Sequence, residues 1–109
     1  MAAGAVALDR IRSAHPSTDA IFFANDVLAS GAILHALRQG LAVPRDIAIA
    51  GFDDTEMAVA MVPPLTTVRI EREVLGVAAG ELMLAALQGT DIRGRRLDVG
   101  FQVMPRSST

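Results

Sequence analysis

The chain has 109 residues, 51% of them hydrophobic, and carries a formal net charge of −2 at pH 7. That length suits one small domain or part of a larger one, and the high apolar fraction indicates a further surface that another protein segment covers. The negative charge argues against a general nucleic-acid-binding surface, because phosphate binding requires an excess of lysine and arginine. No apolar run is long enough to span a membrane, and no secretion signal is recognisable.

The residue types that are missing limit the chemistry of the chain. It has no cysteine, and all ten of its basic residues are arginine. The lack of lysine excludes a phosphate-binding loop of the Walker type, a Schiff-base mechanism and a phospho-receiver site. The two histidines, His15 and His35, have no second histidine or carboxylate at metal-ligand spacing. We therefore expect no metal, no cofactor and no enzyme.

The first predicted elements alternate between helix and strand. An apolar stripe predicts a helix over residues 2–14, and the apolar run Asp19 to Ala24 predicts a buried strand. Asn25 and Asp26 follow that strand and precede a helix that continues to Arg38, with a glycine cap at Gly40. This helix is apolar on two sides, which indicates deep burial or contact with a second subunit.

A second strand–helix–strand segment follows. Ile47 to Ala50 lacks polar alternation and predicts a strand buried on both faces, in the middle of a parallel sheet. The strand ends at Asp53-Asp54-Thr55, and Pro63-Pro64 end the short helix after it. Leu65 to Ile70 is rich in β-branched residues and predicts another strand.

Polar side chains thus follow two predicted strands. The carboxyl ends of parallel strands share one edge of a sheet, so Asn25 and Asp53 are predicted to face a common crevice if their strands are neighbours or flank a switch point. Oxygen acceptors there suit a ligand with many hydroxyl groups. The alternative is that each cluster only caps the helix that it precedes, because Asn, Asp and Thr are preferred N-caps.

The last third of the chain predicts one long helix, Glu71 to Gln88, closed by Gly89. It is apolar around most of its circumference, so it is either sandwiched or packed against a segment outside this chain. Residues 90–96 are predicted as a solvated loop, and the alternation from Leu97 to Val103 predicts an edge strand.

Taken together, these segments resemble the effector-binding core of the lactose/galactose repressor family of bacterial transcription regulators. The matching segments cover nearly the whole chain in the family's order: Asp19–Asp26, Ala29–Ala32, Gly40–Pro44, Asp46–Asp54, Pro63–Arg69 and Arg106–Thr109. The segments Ile21–Asp26 and Asp98–Phe101 resemble the gluconate-repressor branch.

The resemblance implies an α/β fold of the periplasmic-binding-protein type (type I), a parallel sheet with helices on both faces, of which only the C-terminal part is present. Residues 1–70 and 97–109 would belong mostly to the C-terminal subdomain, and the helix in residues 71–90 would pack in the N-terminal subdomain. The DNA-binding headpiece would lie outside this chain.

The resemblance also implies roles for particular residues. Asn25 and Asp53 match positions that hydrogen-bond the effector's hydroxyls, and Asp26 and Arg69 lie beside such positions. The family's dimer surface matches a set of six residues: Ser30, Leu34, Leu37, Met57, Met61 and Val62.

The expected function is effector sensing and dimerisation in a cytoplasmic regulator. Its effector would be a sugar or sugar acid, its partner a second copy of the chain, and its contact with DNA would be made only through the headpiece. Two alternatives are a transport-type sugar-binding protein of the same fold and a small flavodoxin-like enzyme or receiver. The lack of lysine and of any nucleophile–base pair counts against the latter.

Overall fold

A mostly parallel sheet organises the larger of the two units of this protein. The computed structural model describes all 109 residues, and they divide into residues 1–69 with 103–109 and residues 70–102. The strand order is β1-β2-β3-β4, with β1–β2 and β2–β3 parallel. The elements are α1 (Ala2–Ala14), β1 (Ala20–Phe22), α2 (Asp26–Arg38), β2 (Ala48–Phe52), α3 (Glu56–Ala60), β3 (Thr66–Arg69), α4 (Arg72–Leu87) and β4 (Gln102–Met104).

The core of the larger unit lies between α2 and the sheet. Ile47 and Ile49 are buried where β2 meets α2, and α2 contributes mainly small side chains, so that helix and sheet approach closely. Helix α1 packs on α2 and buries Leu8. The predicted α/β class with a parallel sheet is confirmed.

The predicted glycine cap of α2 is also confirmed. Gly40 has a φ of 76°, in the left-handed region that glycine adopts without steric cost. The amide of Leu41 donates to the carbonyl of Ala36 at 3.0 Å, and the amide of Gly40 donates to the carbonyl of Leu37 at 3.0 Å. These two bonds form a Schellman motif, which satisfies carbonyls at the end of the helix.

The predicted burial of the first two strands is only partly right. Strand β1 lies at the edge of the sheet, and its Phe22 side chain is 62% exposed. In β2 the residues that alternate with Ile47 and Ile49, namely Ala48 and Ala50, are only half-buried. The apolar runs therefore reflect a sheet with one well-covered face, and the expectation of strands buried on both faces was wrong within this chain.

The predicted edge strand from Leu97 to Val103 was wrong over most of its length. Only Gln102–Met104 forms a strand, and Leu97 and Phe101 are both exposed. The Asp98 carboxylate accepts a hydrogen bond from the amide of Gly100 at 2.8 Å. This local Asx turn competes with the extended backbone that an alternating apolar pattern otherwise favours.

The smaller unit contains α4, which confirms the predicted long helix. None of its sixteen residues is buried, although apolar side chains such as Val74, Leu84 and Leu87 are spread around it. The assignment of this helix to a subdomain of a larger protein stays a prediction. No helix in the protein has the length and hydropathy needed to cross a lipid bilayer.

Candidate functional site

The candidate site is the sheet edge at which β1 and β2 end. The two strands are parallel neighbours, and Asn25 and Asp53 follow their carboxyl ends, so both residues lie at the same edge. This edge is the common location of ligands in open α/β sheets.

Asn25 is the N-cap of α2, as the capping alternative predicted. Its backbone is extended, and its side-chain Oδ1 accepts a hydrogen bond from the amide of Leu28 at 2.9 Å. The side-chain NH2 group of Asn25 donates no hydrogen bond within the chain. Capping thus uses the oxygen of Asn25 and leaves its two N–H donors for another acceptor.

Asp26 lies in the interior, at the start of the same helix. Its Oδ2 accepts from the amide of Thr55 at 2.8 Å and from the Thr55 hydroxyl at 3.0 Å. Its Oδ1 accepts from the Thr67 hydroxyl at 2.6 Å, and the residue has no exposed surface. Asp26 therefore ties α2 to the loop after β2 and to β3, with its negative charge at the positive end of the helix dipole.

Gly51 leaves the space that Asp26 occupies. A Cβ atom on Gly51 would overlap with Oδ1 of Asp26 and would also press on Leu65 and Ala29. The glycine of β2 is thus required by the close approach of a buried carboxylate to the backbone of the strand.

The backbone of Asp53 and Asp54 is strained. Their φ angles are 110° and 48°, in a region that non-glycine residues seldom adopt and that costs about 1–3 kcal/mol per residue. The amide of Asp53 donates to the carbonyl of Val68 at 2.9 Å, and the amide of Asp54 lies 3.4 Å from the Thr67 hydroxyl. Such strain at a polar sheet edge is typical of functional loops.

The Asp54 side chain forms ion pairs with two arginines. Arg69 donates to Oδ2 from Nε at 2.7 Å and from Nη2 at 2.6 Å, and Arg106 donates to Oδ1 from Nη2. Burial raises the pKa of Asp54, but the hydrogen bonds and charges of Arg106 and Arg69 outweigh it and hold that pKa below its ordinary value. Asp54 is thus a charged structural anchor, whereas Asp53 beside it is exposed.

Sequence reasoning missed two members of this network, Thr67 and Arg106, and placed Thr55 only in the polar cluster that follows the second strand. Arg106 is 52 residues from Asp54 along the chain, so spacing could not pair them. The only available signal was the match of the closing Arg106–Thr109 segment to the repressor family. Thr67 looked like an ordinary β-branched strand residue.

The structure distributes the four predicted ligand-binding residues over different environments. Asn25 is half-buried, Asp26 is inside, Asp53 is exposed, and Arg69 is half-exposed with its guanidinium on Asp54. No group of three or more histidine and carboxylate side chains comes together that could hold a metal ion. The ligand-binding roles stay predictions.

The six residues predicted for a dimer surface also differ in exposure. Leu34, Leu37 and Val62 are exposed, and Met57 is half-buried. Ser30 and Met61 are buried, and Met61 belongs to the hydrophobic core. The three exposed residues and the half-buried Met57 have surface that another molecule can contact, whereas Ser30 and Met61 would need a change in the fold.

The comparisons with known proteins agree with this fold. The periplasmic binding protein-like domain family matches residues 1–109. The HTH-type transcriptional regulator GntR of Pseudomonas aeruginosa is 43% identical over 100 residues, which is 92% of this chain and 29% of that protein. The chain thus spans less than a third of the length of this relative.

Solved structures give the same result. The transcription regulator GntR from Chromobacterium violaceum matches with a TM-score of 0.81 and 43% identity, over 98% of this chain and 40% of that one. The lac repressor dimer, bound to operator and the anti-inducer ONPF, matches with a TM-score of 0.82 and 30% identity, over 97% and 37%. These matches give no support to the transport alternative. The chain belongs to the periplasmic binding protein-like domain family, in the form carried by transcription regulators of the lactose/galactose repressor type, and within them it is similar to the gluconate-repressor branch.

Proposed function

We propose that this chain is the effector-sensing and dimerisation portion of a DNA-binding regulator that acts in the cytoplasm. The observation that carries the proposal is the exposed Asp53 on a strained loop, beside Asn25 at the same edge of a parallel sheet. An exposed acceptor and a half-buried donor at one edge of a sheet suit a ligand with several hydroxyl groups.

Two residues are proposed to contact the effector directly. The Asp53 carboxylate would accept hydrogen bonds from sugar hydroxyls, and the side-chain NH2 of Asn25 would donate to a sugar oxygen. Asp26 would act indirectly, because its oxygens are occupied by Thr55 and Thr67.

Arg69 would give the site a contact for a ligand carboxylate. Its side chain is 40% exposed, and only its Nε and Nη2 donate to Asp54. An arginine has five N–H donors, so some of its donors remain for a ligand. A sugar acid could use them, whereas a neutral sugar would use mainly Asp53 and Asn25.

The mechanism proposed is allosteric. An effector that binds one arrangement of the effector-binding domain more tightly shifts the population toward that arrangement, and so changes operator affinity in the full-length protein. The headpiece that contacts DNA lies outside the 109 residues.

A second copy of the chain is proposed to pack on the exposed apolar residues of the predicted dimer surface. Val62 is 77% exposed, and Leu34 and Leu37 are more than 40% exposed, so all three side chains offer apolar surface to a partner. Their burial would supply the apolar centre of an interface. Helix α4, which has no buried residue, is proposed to pack against the remainder of the effector-binding domain.

Operator release tests the proposal. The full-length protein is bound to its operator and titrated with D-gluconate as a sugar-acid probe and with cellobiose as a neutral one. We expect one of these classes to change operator affinity by about tenfold, the usual scale of allosteric coupling. A protein whose operator affinity responds to neither class of ligand would contradict the assignment.

A further inference from the structure

Arg106 holds together two parts of the sheet edge. Its Nη2 donates to Oδ1 of Asp54, and its Nη1 donates to the backbone carbonyl of Leu65 at 2.8 Å. Its side chain is largely buried, and that of Asp54 is 5% exposed. One guanidinium thus joins the loop after β2 to the residue that precedes β3. A charged pair so withdrawn from water is sensitive to the loss of either partner.

The backbone around Arg106 is anchored as firmly as its side chain. The amide of Arg106 donates to Oγ1 of Thr66 at 2.8 Å. The hydroxyl of Ser108 accepts from the amide of Thr66 at 2.8 Å and donates to the carbonyl of Ile49 at 2.6 Å. Ser108 is fully buried between β2 and β3. The closing residues therefore fix Arg106 relative to both strands, so its guanidinium is preorganised.

The loop that Arg106 reaches needs such support. All three amides of residues 53–55 are hydrogen-bonded, to the carbonyl of Val68, to the hydroxyl of Thr67 and to the carboxylate of Asp26. The left-handed backbone of Asp53 and Asp54 persists only where surrounding contacts determine it. The Asp54 carboxylate is held in addition by Arg69 and by Arg106, and the Arg106 contact is the one that the chain's closing segment supplies.

We propose that Arg106 is a positioning residue: through Asp54 it holds the 53–55 loop in the conformation from which Asp53 meets the effector. The expected effect of Arg106 on effector affinity rests on the proposed function. The effect of Arg106 on the conformation of the 53–55 loop is independent of any ligand.

Hydrogen exchange in the full-length protein tests the inference. Arg106→Gln removes the Arg106–Asp54 ion pair with little change in size and leaves the Arg69–Asp54 pair in place. We expect the amides of residues 53–55 to exchange about tenfold faster in this variant. The amides of Ile33 and Ala36, on the buried face of α2, should stay within about twofold of their original rates. Arg106→Lys, which keeps the charge but cannot bridge Asp54 and Leu65 as a planar fork, should give an intermediate rate.

Two further variants separate positioning from a general structural effect. Arg45→Gln is the matched control, because Arg45 donates two hydrogen bonds to Asp46 but is 78% exposed. It should leave loop exchange unchanged. Adding Arg106→Gln to Asp54→Asn should give little further increase over Asp54→Asn alone, since Arg106 acts through Asp54.

The outcomes are distinct. Unchanged exchange at residues 53–55 in Arg106→Gln would overturn the inference, and so would an equal increase in α2. If the probe D-gluconate binds the original protein, its dissociation constant should rise about tenfold in Arg106→Gln, with operator affinity unchanged. If neither D-gluconate nor cellobiose binds the original protein, the proposed function fails, while the exchange rates still decide the role of Arg106.

Discussion

Thr67 and Asp26 are 41 residues apart in the chain and are joined by a buried hydrogen bond of 2.6 Å from Oγ1 to Oδ1. This bond connects β3, which contains Thr67, to the first turn of α2, which contains Asp26. The same Asp26 carboxylate also holds Thr55 in the adjacent loop. The buried Asp26 carboxylate thus stabilises the sheet edge at which Asn25 and Asp53 lie.

Thr67→Val should destabilise the protein by about 1–3 kcal/mol. The substitution keeps the shape but leaves Oδ1 of Asp26 buried without its donor. Urea unfolding measures the change in free energy. Thr90→Val, at an exposed position, should change it by no more than about 0.5 kcal/mol, and equal effects at the two sites would contradict the account.

Gly51→Ala should destabilise the protein by about 1–3 kcal/mol, because the added methyl group overlaps with Asp26 and presses on Leu65. Gly76→Ala in α4 is the matched control, since a Cβ there meets nothing within 4 Å. Alanine favours the helix over glycine, so this control should stabilise by about 0.5–1 kcal/mol. Thermal melting of the two variants should therefore move in opposite directions.

The ion cluster at Asp54 predicts a dependence of stability on pH. The folded-state pKa of Asp54 lies below its ordinary value of 3.8, so its contribution is fully present above that value. It is lost as the pH falls through the folded-state pKa. The difference in unfolding free energy between the original protein and Asp54→Asn should be constant near neutral pH and shrink on acidification below 3.8. A difference that grows on acidification would show that Asp54 is not held in its charged form.

Leu34→Asp should weaken self-association. The side chain is 43% exposed on α2 within the predicted dimer surface, and a charge there would be buried in the interface. We expect the dimer dissociation constant to rise at least about tenfold in sedimentation equilibrium. Val6→Asp on α1, with 50% exposure, is the control and should leave it unchanged. A dimer unaffected by Leu34→Asp would place the interface elsewhere.

The sequence was a good guide wherever local chemistry decides the structure. Gly40 after a helical pattern predicted the end of α2, and unbroken apolar runs located β1 and β2. Burial could not be predicted so well, because the exposure of Phe22 depends on which segment lies beside the edge strand. The Arg106–Asp54 pair could not be predicted, because a contact between residues 52 positions apart follows from the fold and not from the spacing in the sequence.

The most direct test of the central claim is calorimetric titration of the full-length protein with D-gluconate, comparing Asp53→Ala with Asp19→Ala. Asp19 is also exposed but precedes β1, at the opposite end of the strand from the proposed site. We expect Asp53→Ala to weaken binding by at least about tenfold, the cost of losing a charge-assisted hydrogen bond, and Asp19→Ala to bind as the original protein does. Equal affinity in all three proteins would show that Asp53 does not contact the effector.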